Sequence, residues 1–298
     1  GGGSNYLGWF NLGEFAAPFF NMALESVLPF GIVLIAAVGG YLLANSYYKA
    51  NAYLEDLSEE EDVRFVNQSF GFLSRFGLAG ELANLEWKLI IRHKKSRTYL
   101  MLSAFFLLYG LVFYTNPIYQ SETGLSAIFI FVGIFITGIF TIQYGQQFLS
   151  WNSGNFDFFI SRKGGVESLV RGKYLLFMGV SMVCFLASVP YVYFGVHILM
   201  IHLATFFFNV GIMIHVIIYL ALWKPKPMDL NKGAMFNYEG VGAAQFLIII
   251  PLLVAPYLVY LPFSLLISDT AGLIALGTAG LIGLLAFRPL SQININRV

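Results

Sequence analysis

An all-α polytopic membrane protein is the fold class this sequence predicts, on three observations. Of 298 residues, 58% are hydrophobic and 11% charged, where a soluble domain carries about 25% charged residues. The mean hydropathy is +0.73, and apolar runs recur near the roughly 20 residues a helix needs to cross the hydrocarbon core. The 17 Lys and Arg residues all fall between those runs and none within them. The formal net charge of +1 gives no bulk attraction to nucleic acid.

Seven transmembrane helices are expected, at residues 27–47, 99–115, 125–144, 174–194, 196–223, 241–262 and 272–287. The basic residues orient them. Lys49, Arg64, Arg75, Lys88, Arg92, Lys94, Lys95 and Arg97 fall in the first long loop. Arg162, Lys163, Arg171 and Lys173 precede the fourth span, and Lys224, Lys226 and Lys232 precede the sixth. Arg288 and Arg297 follow the seventh. All lie on one side, which the positive-inside bias makes cytoplasmic. The N-terminus is then outside and the C-terminus inside. One span too many or too few would scatter these charges over both sides.

The first loop has two parts. Residues 55–62, EDLSEEED, hold six carboxylates and read as a solvated linker. The chain is therefore divided into 1–50, an acidic cytoplasmic linker at 51–77, and 78–298. From Leu78 the pattern becomes helical: Leu78, Leu82, Leu85 and Leu89 recur at spacings of three and four and share one face. Glu81, Lys88, Arg92 and Lys95 lie off that stripe. Such a helix suits the plane of a membrane interface. Arg92, Lys94, Lys95 and Arg97 are expected among headgroups, with the turn into the bilayer near Thr98.

The loop at 146–173, QQFLSWNSGNFDFFISRKGGVESLVRGK, is too apolar for a solvated linker and too interrupted for a span. Gly164 and Gly165 punctuate it, and 166–173 reads as a helix running into the fourth span. The aromatic part before the glycines is read as a short amphipathic helix on the cytoplasmic face, lying in the interface or docking in a partner's groove.

Candidate chemistry is sparse. His202, Asn209 and His215 share the fifth span. The histidines are about 3.6 turns apart, no acidic residue falls in any expected span, and structural hydrogen bonding is the expected role. No lysine falls in a span, which effectively excludes a retinal Schiff base. No GxxxxGK[ST] loop is present, so ATP hydrolysis by this chain is not expected. The single cysteine, Cys184, gives no intrachain disulfide, and neither a metal site nor a cofactor is indicated. Gly133, Thr137, Gly138, Gly272, Gly277 and Gly283 offer small surfaces for close helix packing. Pro251, Pro256 and Pro262 punctuate the sixth span, as a break or as a packing kink.

Certain stretches carry a resemblance: NAYLEDL at 51–57, FLSRFGLAGELANLEWKLIIRHKKSR at 72–97, the Tyr144–Gly145 pair leading to SWNSGNFDFFISR at 150–162, and FNYEGVGAAQFL at 236–247. With an amphipathic elbow helix and six following spans, the chain resembles a type-two ABC exporter permease, and more closely a bacterial family of such permeases. The resemblance implies that 1–50 holds the last span of a preceding permease half, in relatives that extend further at the N-terminus. It implies that 78–298 is a complete half of elbow helix plus six spans. Residues 79–97 would be the elbow, with Leu82, Leu85, Leu89, Arg92 and Lys95 at the interface. Residues 152–163 would contain the helix that couples to an ATP-binding subunit, through Phe156, Asp157, Phe158 and Arg162. Pro251, Pro256 and Pro262 would mark an outer gate. The expected partners are that ATP-binding subunit, a second permease half on the same longer chain or another, and membrane lipids, in a bacterial inner membrane. The competing expectation is a scaffold that docks a cytoplasmic partner and transports nothing.

Overall fold

The computed structural model describes residues 38–43, 45–46, 70–116, 119, 127–223, 225–228 and 249–298. Two compact units divide the chain, Gly1–Val63 and Arg64–Val298. In the first, the described residues are helical; the rest of the expected span at 27–47 and residues 51–69 of the expected linker lie outside the described residues. The account below concerns the second unit.

Its described elements are helical, with no strand among them. After a short 3-10 turn at Gly71–Phe76 come α1 (Leu78–Arg92), α2 (Lys94–Phe106), α3 (Tyr109–Tyr114), α4 (Ala127–Gly145) and α5 (Phe156–Ser161). They are followed by α6 (Gly165–Ser188), α7 (Val196–Phe208), α8 (Ile214–Ala221), α9 (Ile249–Leu266), α10 (Asp269–Leu285) and α11 (Phe287–Ile295). Among the described residues, four stretches are long and apolar enough to cross a membrane: Lys94–Tyr114, Ala127–Gly154, Gly165–Phe194 and Val196–Ala221. The pair α10 and α11, bent by 66°, makes a fifth when counted as one span, and α9 is a shorter apolar helix. The protein is an all-α, multi-pass membrane protein.

The first turn into the bundle differs from expectation. The chain breaks at His93, whose φ of −84° and ψ of 130° are extended, rather than near Thr98. The Ser96 hydroxyl lies 3.0 Å from the Leu89 carbonyl and 3.1 Å from that of His93. It thus caps the carbonyls that end α1. Lys94, Lys95 and Arg97 consequently belong to the first turn of α2, and Lys95 is buried instead of lying among headgroups.

Helix α4 is apolar all round and buried over most of its length, as a central helix should be. It packs on α2, α6 and α7, while α10 packs on α7 and α9. Two hydrophobic clusters result. One gathers Ile90, Tyr144, Phe148, Trp151, Tyr174 and Phe177; the other gathers Tyr114, Phe129, Tyr191, Ile201, Tyr260 and Leu276. Between α7 and α8 the helix relaxes into a π turn at Asn209–Met213. There the Asn209 amide donates to the Ile134 carbonyl at 2.9 Å and to the Thr137 hydroxyl at 2.8 Å.

The expected small-residue seams are occupied. Gly133 faces Thr205, Gly138 faces Asn209, and Gly277 faces Ala204. A closer approach in the bundle involves glycines that the sequence pattern does not mark out: a Cβ on Gly211 would lie 1.9 Å from the Gly280 carbonyl oxygen. There α10 and the π turn meet backbone to backbone.

The sixth span is expected from its prolines to be broken or kinked. Helix α9 is continuous, with Pro256 and Pro262 inside it, so of the two readings the break is not found among the described residues. A proline in a membrane helix is tolerated where neighbouring helices and local adjustment take up the freed groups, and Pro256 is buried among such neighbours. Pro251 lies in the first turn and Pro262 near the far end, so the three prolines do not form one locus.

Candidate functional site

The aromatic loop divides its residues between core and surface. Phe148, Leu149, Trp151 and Phe159 are buried, and Phe156 is half-buried against the first cluster. Asp157 and Arg162 are exposed. Phe158 is 53% exposed and Ile160 60%. Ile160 is not among the contact residues expected from sequence. The Arg162 guanidinium lies 5.9 Å from the centre of the Phe158 ring, a cation–π distance. Helix α5 therefore presents an apolar tip flanked by one acid and one base.

Gly164 and Gly165 set where α5 ends. Gly164 has φ +72°, a left-handed conformation that favours glycine. The Gly165 amide donates to the Arg162 carbonyl at 2.9 Å, and a Cβ on Gly165 would come within 2.3 Å of the Phe159 carbonyl oxygen. The chain then enters α6 without interruption, as read from the sequence.

Beneath α5 lies a buried polar cluster centred on Glu86, a residue the sequence pattern does not single out. Glu86 Oε1 accepts from the Tyr144 hydroxyl at 2.7 Å and pairs with Lys173 Nζ at 3.0 Å. Glu86 Oε2 accepts from the Asn152 amide at 3.2 Å. The side chains of Lys173 and Glu86 are 1% and 4% exposed. Lys173 also donates to the Phe148 carbonyl, and its ammonium lies 4.9 Å from the centre of the Phe148 ring. Tyr144 stacks on Trp151 at 4.5 Å and 6°, and the Trp151 indole N–H donates to the Tyr144 carbonyl at 3.0 Å. One carboxylate thus receives partners from α4, α6 and the 3-10 turn Ser150–Asn155 that leads into α5. Helix α1 lies close on α6: a Cβ on Gly172 would be 2.6 Å from the Ala79 carbonyl oxygen.

This cluster corrects two expectations. The fourth span does contain a lysine, because α6 begins at Gly165 and carries Lys173 inside it; that lysine is ion-paired. The protein-facing side of α1 is set by Gly80, Leu82, Ala83, Glu86 and Ile90, rotated from the leucine stripe. Leu82 is therefore buried, Leu89 half-buried and Leu85 58% exposed. Arg92 is half-buried in the last turn, where a cation complements the helix dipole.

The histidines stand in separate settings. His202 Nε2 is 2.8 Å from the Tyr114 hydroxyl. His215 stacks on Tyr174 at 4.8 Å, and Asn294 donates to its carbonyl at 3.3 Å. No group of three or more His, Cys, Asp or Glu that could hold a metal ion occurs among the described residues.

Residues 1–298 match the family of unknown function DUF5687. The chain belongs to that family. Neither a curated protein nor a solved structure matches it. Membership of DUF5687 brings no reaction with it, so the functional reading rests on the arrangement of α1, α5 and the Glu86 cluster.

Proposed function

We propose that this chain is the transmembrane permease component of an ATP-driven exporter of the type-two ABC class, energised by a separate ATP-binding subunit. The observation that carries the reading is the tie between α1 and the turn that leads into α5: Asn152 of that turn donates to Glu86 of the amphipathic helix, just before the exposed aromatic helix. Aromatic residues and Arg are favoured anchors at protein interfaces, and the tip formed by Phe158, Ile160 and Arg162 offers both. Helix α1 is the elbow in this reading, with Leu85 turned to lipid. Seven spans, an external N-terminus and an internal C-terminus complete the topology in a bacterial inner membrane, on the distribution of basic residues. A second permease half, on the same longer chain or on a partner chain, would complete the pathway. The prolines of α9 would act by bending a continuous helix.

The test is mild purification of the full-length protein from its native membrane, with crosslinking and mass spectrometry of what accompanies it. A stoichiometric P-loop ATPase is expected. Replacing Phe158 and Arg162 together with Ala should release it and leave the melting temperature of the permease within a few degrees of wild type. A stoichiometric partner without a P-loop would make the chain a scaffold. An ATPase that stays bound to the double variant would refute the placement of the coupling contact at α5.

A further inference from the structure

A groove of about 420 Å³ opens between α8, the first turn of α9 and α11. Its walls are Tyr219, Ile250, Pro251, Leu290 and Ile293. The polar residues His215 and Asn294 also line it, but they are buried and engage one another. Apart from the buried His215 Nε2, which has no hydrogen-bond partner, the slot offers apolar surface. Ile250 and Ile293 are exposed, so the slot is continuous with the apolar outer surface of the bundle.

A cation stands against Tyr219, one of the lining residues. Arg297 follows α11 in the turn that closes the helix, where its backbone N–H donates to the Asn294 carbonyl at 3.1 Å. Its guanidinium lies 3.8 Å from the centre of the Tyr219 ring. Arg297 is half-buried, and its guanidinium is a planar fork of N–H donors of the kind that suits a phosphate. Helix α11 bends 66° away from α10, so it crosses the end of the bundle rather than extending it. Its polar residues Arg288 and Gln292, and Asn296 just beyond its end, are exposed, the pattern of a short helix suited to a membrane interface.

We infer that this groove is a binding site for an anionic phospholipid, with one acyl chain in the slot and the headgroup phosphate at Arg297. At about 30 Å³ for a water-sized or methylene-sized group, the slot takes on the order of a dozen methylenes. A peptide would bring amide groups that the apolar walls leave without partners, at a cost of about 1–3 kcal/mol each. An acyl chain brings none. Placing the lipid in the cytoplasmic leaflet rests on the orientation proposed above; the binding itself does not.

The test is native mass spectrometry of the full-length protein, delipidated and titrated with phosphatidylglycerol or phosphatidylcholine of equal chain length. Wild type should retain one tightly held lipid and prefer phosphatidylglycerol. Arg297→Gln should keep the lipid and lose about fivefold of that preference, the effect of one cation near the membrane surface. Ile293→Trp, which fills the slot from a partly exposed wall, should remove the tight site while thermal melting confirms that the protein is folded. Equal affinity for the two lipids in wild type would overturn the proposal. So would an Ile293→Trp variant that holds the lipid as before, or one that instead loses a dimer, which would assign the groove to a second copy of the chain.

Discussion

Glu86 carries a buried negative charge that Lys173, Tyr144 and Asn152 together compensate. Breaking such a pair from one side strands the other charge, at a cost of about 3–5 kcal/mol. Replacing both partners with neutral groups of similar shape costs far less. Lys173→Met alone should therefore lower the melting temperature of the purified protein sharply, and the double variant Glu86→Gln with Lys173→Met should recover most of the loss. If the double variant melts as low as the single, the pair does not act as a unit. Glu86 is legible in principle: it stands four residues after Leu82 and four before Ile90, both buried. The leucines at 78, 82, 85 and 89 outvote it, because a count of apolar residues cannot show which edge of an amphipathic helix meets protein and which meets lipid. Its partner is hidden for another reason. Lys173 adjoins an apolar run, and hydropathy alone ends a span at the first charge even when the helix continues.

At the scale of elements, the uninterrupted joining of 166–173 to the fourth span is readable because nothing after Gly165 breaks a helix. The sharp stop at His93 is not readable, because no Gly or Pro marks it and the Ser96 cap bonds backward over several residues. Helix α5 is readable as aromatic and short. Its division into buried Phe159 and exposed Phe158 needs the three-dimensional fold, because six residues are too few to establish a face. The packing of α10 gives a sharp expectation. A Cβ at Gly280 would lie 2.3 Å from the Phe207 carbonyl carbon, so Gly280→Ala forces two backbones apart. Overpacking of this kind costs about 1–3 kcal/mol, and thermal melting should show it. Gly179→Ala, with nothing within 4 Å of its Cβ, should be neutral or slightly stabilising in the same assay, since alanine is the better helix former.

For the Arg64–Val298 unit as a whole, the proposed orientation makes two surface positions informative. Tyr193 is 87% exposed in the turn between α6 and α7, and Lys163 is exposed beside α5. In intact cells, Tyr193→Cys should react with a membrane-impermeant maleimide, whereas Lys163→Cys should react only after permeabilisation. Cys184 is buried, which keeps the background low. The reverse pattern would invert the topology and remove α5 from the reach of any cytoplasmic ATPase. The spacing of the basic residues along the chain is enough to propose this orientation. The positions of the cavities have no such signature, since a groove is a property of spaces between helices that are remote in sequence.

The meeting of Gly211 with Gly280 has a further consequence. Where two main chains touch with no side chain between them, neither helix has a cushion on which to roll or slide. The π turn and α10 are keyed together like two halves of a joint. If this protein alternates between conformations, the key travels with whichever body moves, and the plane of slip must run along a seam padded by flexible side chains.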